Sequence, residues 1–144
     1  MGRVGQSIRV TVGDEPIDAG ALVDEVSRPD AGATVLFLGT VRDHSTGKEG
    51  VTHLEYEVFL EHVEPMIREI VTEATTQWPV LDVVVEHRSG RVDLGEASVA
   101  VAVSSEHRSD AFAAAGFIID QLKLRAPIWK KEFWPGGAEW SQGS

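Results

Sequence analysis

The stretch His107-Arg108-Ser109-Asp110-Ala111-Phe112 leads into an apolar run and closes on Lys123-Leu124-Arg125-Ala126-Pro127-Ile128-Trp129-Lys130-Lys131-Glu132. The run between the two ends has helical spacing, and Ala126-Pro127 breaks it, because a residue before proline is pushed out of the helical region. Ahead of it, Ala97 to Ser104 is small and β-branched on both faces and reads as a covered strand. Behind it, Ile128 to Phe133 reads as another strand. Ser109 is the expected N-cap, and Asp110 suits the positive end of the helix dipole. The stretch is also basic. Arg108, Lys123, Arg125, Lys130 and Lys131 stand against Asp110 and Asp120, inside a chain of net charge -10. A basic island on an acidic protein points to a small anionic ligand.

The same alternation of element types extends to both ends of the chain. Ile8 to Val12 alternates as a strand, Gly13-Asp14-Glu15-Pro16 is turn chemistry, and Ile17 to Val26 is a short helix ended by Arg28-Pro29-Asp30-Ala31-Gly32. Ala33 to Val41 is apolar on both faces, with Gly39 marking a bulge or a close approach. Asp43 to Gly50 is polar and glycine-rich and reads as a mobile loop. Val51 to Phe59 sets Leu54, Tyr56 and Val58 against His53, Glu55 and Glu57, a strand with one wet face. Glu61 to Trp78 is an amphipathic helix with Val63, Met66, Ile67, Ile70, Val71, Ala74 and Trp78 in one stripe. Pro65 falls in its first turn, where proline is tolerated, and Pro79 stops it. Leu81 to His87 is a strand, Ser89 to Glu96 a connection, and Pro135-Gly136-Gly137 a turn close to the end. The order β-α-β-β-α-β-β-α-β gives an α+β fold, helices on a mixed or mostly antiparallel sheet, as a single domain over residues 1–144.

Composition removes whole classes of chemistry. There is no cysteine, so disulfides, thiolate metal sites and a cysteine nucleophile are excluded; any sulfur handled here comes from a ligand or partner. Five histidines show no recognised ligand spacing, and neither a glycine-rich phosphate loop nor a Gly-x-Ser-x-Gly elbow is present. No metal or cofactor is expected. The acidity argues against nucleic-acid binding. No run spans a bilayer, and Met1 to Gln6 lacks the apolar core of a signal peptide, which reads as a cytoplasmic protein without a membrane partner.

Four groups remain as chemical candidates. Phe112, Gly116, Ile119 and Lys123 share one helix face, read as the apolar one. A lysine there either snorkels to solvent or sits partly dry with a lowered pKa, fit for attack or proton transfer. Lys130 and Lys131 point to opposite faces of a strand; spacing does not choose between them, and a lysine pair also suits a solvated edge. His107-Arg108 lies where backbone N–H groups converge at a helix start, which serves anion binding or simple capping. Arg42 ends the two-sided strand. If that end meets the helix start, Arg42 and Arg108 grip one phosphate or carboxylate.

Several of these segments together resemble a known family, the large catalytic subunit of molybdopterin synthase (MoaE). They are Gly32-Ala33, Phe37-Leu38-Gly39-Thr40-Val41-Arg42, Leu54-Glu55-Tyr56-Glu57, His87-Arg88 with Gly90, Ser105-Glu106-His107-Arg108-Ser109 with Ala111-Phe112, and Leu122-Lys123 through Arg125-Ala126-Pro127-Ile128-Trp129-Lys130-Lys131-Glu132. The likeness runs over nearly the whole chain in order. It implies an α/β-hammerhead-like core with a small β-subdomain. It implies a homodimer that docks one small ubiquitin-like, MoaD-like subunit on each protomer, making a heterotetramer. The small subunit's C-terminal Gly-Gly thiocarboxylate would supply two sulfurs to cyclic pyranopterin monophosphate, giving the dithiolene of molybdopterin. On matching positions the resemblance makes Lys123 and Lys130 catalytic. It makes Arg42, His107 and Arg108 substrate binders in a pocket built from both protomers, flanked by Thr40, Val41, Lys131 and Glu132. It also turns Lys130 rather than Lys131 toward the site. Family members often carry further charged residues after the position of Trp140, where this chain has Ser141-Gln142-Gly143-Ser144. The competing class is a module that captures a ubiquitin-like tail or a phosphate without chemistry.

Overall fold

Strands that are apolar on both faces need cover on both, and two such strands form the middle of the main sheet. The computed structural model describes residues 5–143; Met1 to Val4, on which the signal-peptide reading chiefly rests, and Ser144 lie outside them. β1 spans Ser7–Gly13, β2 Ala33–Thr40, β6 Val80–Arg88 and β8 Ala97–Ser105. They are ordered β1-β6-β8-β2. β1 runs parallel to β6, and the other neighbours are antiparallel, so the sheet is mixed. On one face, α2 (Leu60–Gln77) and α3 (Arg108–Arg125) bury Val63, Ile67, Ile70, Ile118 and Leu122 against Val83, Val85, Val99, Val101 and Val103. On the other, α1 (Ala19–Val26) lays Leu22 and Val26 on Val84, Ala100 and Ala102. Each fully buried aliphatic side chain contributes roughly 1.5–3 kcal/mol by leaving water.

A second sheet completes the α+β fold. It consists of β5 (His53–Val58), β7 (Gly90–Asp93), β9 (Ile128–Trp134) and β10 (Gly137–Gln142), ordered β10-β9-β5-β7 and antiparallel throughout. The expected alternation of β5 holds: Leu54 and Tyr56 are buried and join Val92 and Ile128 in the main core. A further hairpin, β3 (His44–Ser45) with β4 (Lys48–Glu49), turns at Thr46-Gly47.

The structure departs from the sequence expectations at four places. The segment read as a mobile loop folds into the β3–β4 hairpin. β7 and β10 lie in stretches read as a connection and a chain end. Both are short, edge-placed and mostly exposed, so they carry little apolar pattern. The N-cap of α3 is His107, with no side-chain cap, and Ser109 sits inside the first turn. The buried residues of α3 are Ala111, Ala114, Ala115, Ile118, Ile119 and Leu122, while Phe112 is 64% exposed. Of the four residues read as the apolar face, Ile119 is buried in the core, whereas Phe112 and Lys123 are exposed and Gly116 lies between, so that row marks the margin of the buried face. Alanine supplies the reason: small side chains let the helix sit close on β2 and β8, and the larger Phe112 is left at the margin. Gly39 behaves as expected, since a Cβ there would lie 2.6 Å from Val99 Cγ1 and the register shifts between Gly39 and Thr40.

Beneath α1, Arg28 Nη1 meets Asp82 Oδ1 at 2.9 Å, with both side chains only 2% exposed, and Arg28 also binds Asp30. Removing one partner of such a pair leaves the other charged and dry. Arg28→Met is expected to cost about 3 kcal/mol in urea unfolding; a loss within experimental error would show that Asp82 is solvated or otherwise satisfied.

Candidate functional site

The bulge at Gly39 turns β2 into the wall of a cavity. Val41 follows it, buried, with its N–H donating to the Glu96 carbonyl at 3.0 Å and its own carbonyl accepting from Gly95 N–H at 2.9 Å. That clamp fixes where Thr40 and Arg42 emerge. The last turn of α3 presents Lys123, and the inward phase of β9 presents Lys130 and Glu132. These six residues line one cavity of about 300 Å³, together with Gly39, His44, Ser45, Val51, Leu54, Tyr56, Ser98 and Val99. The register explains the choice between the two lysines. Lys130 pairs across with Tyr56 of β5 and shares its inward face. Lys131 takes the opposite face, its ammonium 5.3 Å from the Phe133 ring centre and 5.6 Å from that of Trp140.

Three cations, Arg42, Lys123 and Lys130, therefore meet in one small space. Among the described residues neither Arg42 nor Lys130 has an ion pair. Much of Lys123 is open to water, yet the cavity wall strips part of its hydration. That desolvation is the main reason its pKa lies below that of an ordinary lysine; the charges of Lys130 and Arg42 add to it, and Asp120 opposes it. Glu132 is buried, which alone would push its carboxyl up. Hydrogen bonds from Ser45 at 2.7 Å and Lys48 at 3.3 Å, with the charges of Lys48 and Lys130, outweigh burial and hold it low.

Below the lysines, Tyr56 meets His87 edge-on, ring centres 5.1 Å apart. Burial raises the Tyr56 phenol above its ordinary pKa; its hydrogen bond with Ser98 opposes the rise and the Glu132 charge adds to it. His87 is 2% exposed, and its Nδ1–H donates to the Arg88 carbonyl at 2.7 Å. Burial lowers its pKa to about 4; the Arg88 bond opposes and the Lys123 charge assists. Tyr56 lines the cavity as a protonated phenol, with the neutral imidazole of His87 packed behind it. Tyr56 was legible as an inward residue of an alternating strand, but spacing gave it no chemical role. Ser45, Lys48 and Ser98 carried no signal, because their positions depend on partners far away in sequence.

His107 and Arg108 do not join this cavity. They form a shallow depression with Gly32, Glu106 and Ser109 at the opposite end of α3. The fifteen-residue offset from Arg108 to Lys123 is roughly 22 Å of helix. Nor do Arg42 and Arg108 meet within one chain. β8 runs antiparallel to β2, so Ser105 lies beside Ala33, at the far end of β2 from Arg42. Among the described residues no three His, Asp or Glu side chains converge as a metal site, and no helix is long and apolar enough to cross a membrane.

Comparison with known proteins gives one consistent result. Residues 12–125 match the model of the family described as MoaE protein. The molybdopterin synthase catalytic subunit of Thermoplasma volcanium is 45% identical over 128 residues, covering 89% of this chain and 93% of that protein. The protein of the same name from Bacillus subtilis is 38% identical over 132 residues, 92% of this chain and 83% of its own. The crystal structure of molybdopterin synthase from Staphylococcus aureus superposes with a TM-score of 0.83 at 34% identity, over 90% of this chain and 94% of that one.

The buried His87 makes an acid-range prediction. Its folded pKa of about 4 lies below the ordinary 6.5, so the unfolded chain binds the proton first as pH falls. This contribution is intact above the ordinary value, is lost on descending through that window at up to about 1.4 kcal/mol per pH unit, and levels off below the folded value. Urea unfolding of wild type against His87→Gln should show the steeper decline in wild type across that window; parallel curves would remove His87 as the source.

Proposed function

We propose that this chain, which belongs to the MoaE family, works as the catalytic subunit of a molybdopterin synthase in molybdenum cofactor biosynthesis. The observation that carries the reading is the convergence of Arg42, Lys123 and Lys130 on one cavity, with the pKa of Lys123 lowered by desolvation and by the other two. A phosphate and a thiocarboxylate are the kinds of anion such a field attracts. The substrate is cyclic pyranopterin monophosphate, and a small ubiquitin-like subunit delivers two sulfurs from its C-terminal thiocarboxylate. A Gly-Gly tail has no side chains and threads a narrow cleft, and an external donor accords with a chain that has no cysteine.

In this scheme Lys123 is the group that changes state. Its lowered pKa gives it a larger neutral fraction, able to take a proton or attack at the pterin side chain or the thiocarboxyl carbon. Lys130 faces the negative charge that develops. Arg42 holds the phosphate. Thr40, Val41 and Glu132 shape the wall, and Lys131 contributes through its backbone place between Lys130 and Glu132.

The second half of the anion grip comes from a second copy. β2 is an edge strand with one side unpaired, and Phe112, Val35 and Phe37 form an apolar shelf beside it. Two copies pairing antiparallel along β2 would exchange its ends, bringing the His107-Arg108 of one copy toward the Arg42 of the other. The homodimer with one small subunit on each protomer follows as a heterotetramer.

The test mixes the protein with a thiocarboxylated small subunit and the cyclic pterin and measures dithiolene formation. Lys123→Ala should lose about a hundredfold or more in rate; full activity would leave only tail or phosphate capture without chemistry. For the shared pocket, Lys123→Ala and Arg108→Ala protomers are mixed after each is shown to be inactive alone. Random pairing leaves one complete site in half of the dimers, so recovery to about a quarter of wild-type activity is expected, and no recovery would mean each protomer works alone.

A further inference from the structure

We propose that Lys48 and Ser45, on the β3–β4 hairpin, are positioning residues that hold Glu132 away from Lys130 and so keep the cavity's cations unneutralised. This rests on the catalytic reading above and deepens it.

Lys130 and Glu132 are two residues apart on β9 and therefore share a face, separated by roughly 7 Å at their Cα atoms. Both line the cavity. A lysine and a glutamate so placed can close an ion pair by rotation of their own side chains. Burial makes that closure attractive, because a carboxylate with only 7% of its surface exposed must find donors. Left to β9 alone, Glu132 would take Lys130.

The hairpin supplies the competing donors. Ser45 Oγ–H donates to Glu132 Oε2 at 2.7 Å, and Lys48 Nζ donates to Glu132 Oε1 at 3.3 Å. Both carboxylate oxygens are thereby engaged from one side. Lys48 is itself fixed. Its side chain is 13% exposed, its ammonium lies 3.4 Å from Glu139 of β10, and it sits 5.4 Å from the centre of the Trp134 ring. The hairpin is thus tied to β9 and β10 by the same two side chains that occupy Glu132. Lys130 keeps no ion pair among the described residues.

The consequence reaches Lys123. Its ammonium is disfavoured partly by the charge of Lys130. If Glu132 turned to Lys130, the pair would be close to neutral and that repulsion would fade. The other charged or titratable groups around the cavity are Asp120 on α3, Arg42 after β2, His44 on the hairpin, Tyr56 on β5, His87 on β6 and Glu139 on β10. The side-chain donors that engage the Glu132 carboxylate are Ser45 and Lys48, so the hairpin decides which way it faces.

The test follows the Lys123 amine by NMR in protein carrying 13C-labelled lysine, without substrate. Ser45→Ala changes no charge. It should raise the Lys123 titration by about half a pH unit, while Lys48→Arg, which keeps the cation, should leave it near wild type. Lys48→Met should raise it further. That rise also has a trivial source, the loss of the Lys48 charge itself, so it is repeated in a Glu132→Gln background. There the rise should largely vanish, because no carboxylate remains to turn. An unchanged titration in Ser45→Ala, or an equal rise from Lys48→Met in both backgrounds, would overturn the proposal. Thermal melting of each variant confirms that the comparison is between folded proteins. Dithiolene assays of Ser45→Ala should show the alkaline shift in the pH profile of the rate. Failure of the synthase assay in wild type would sink the functional reading, and the substrate-free titrations would still decide this one.

Discussion

Three positive charges held inside one small cavity repel each other, and that repulsion is what the surrounding structure has to resist. No single element could supply them. Arg42 comes from the end of β2, Lys123 from the last turn of α3 and Lys130 from β9, and each is placed by a separate anchor. The bulge at Gly39 and the backbone clamp on Val41 set the first. The close seating of Ala111, Ala114 and Ala115 on the main sheet sets the second. The cross-strand register with Tyr56 sets the third. Repulsion among the three adds to desolvation, the larger cause, in weakening the hold of Lys123 on its proton.

Tyr56 on the cavity wall and His87 packed behind it are both neutral. A charged histidine at position 87 would add a fourth cation beneath Lys123, and its burial prevents that. A phenolate at Tyr56 would cancel a cation, and burial with the nearby Glu132 charge keeps it protonated. With these two groups neutral, the charge of the cavity is left to Arg42, Lys123 and Lys130 against the Glu132 carboxylate.

Those features that rest on local periodicity were legible in the sequence. The stripe of α2, the two-sided burial of β8, and the wet and dry faces of β5 follow from side chains a few residues apart, and the observed elements match them. The helix α3 shows the limit of that reasoning. Its alanine-rich sequence is apolar on several faces, so period alone rotated the buried stripe onto Phe112 and toward Lys123, whereas packing selects the small residues and leaves Phe112 exposed. β7, β10 and the β3–β4 hairpin escaped because edge strands with polar residues have no pattern to read; they exist through pairing with distant strands. For the site, residue types and motif resemblance singled out Arg42, Lys123, Lys130 and Glu132, and they share one cavity. The separation of His107-Arg108 from them was not legible, since it depends on β2 and β8 running in opposite directions.

The 18-residue helix α3 joins those two groups directly. At about 1.5 Å per residue it is a rod of fixed length, and each added residue turns the remainder of the helix by about 100°. Losing or gaining a single position between Arg108 and Lys123 would turn the amine away from the cavity, together with the core side chains of α3 that follow the change. The helix thus serves as a gauge, and it transmits any tilt imposed at one end to the cavity amine at the other.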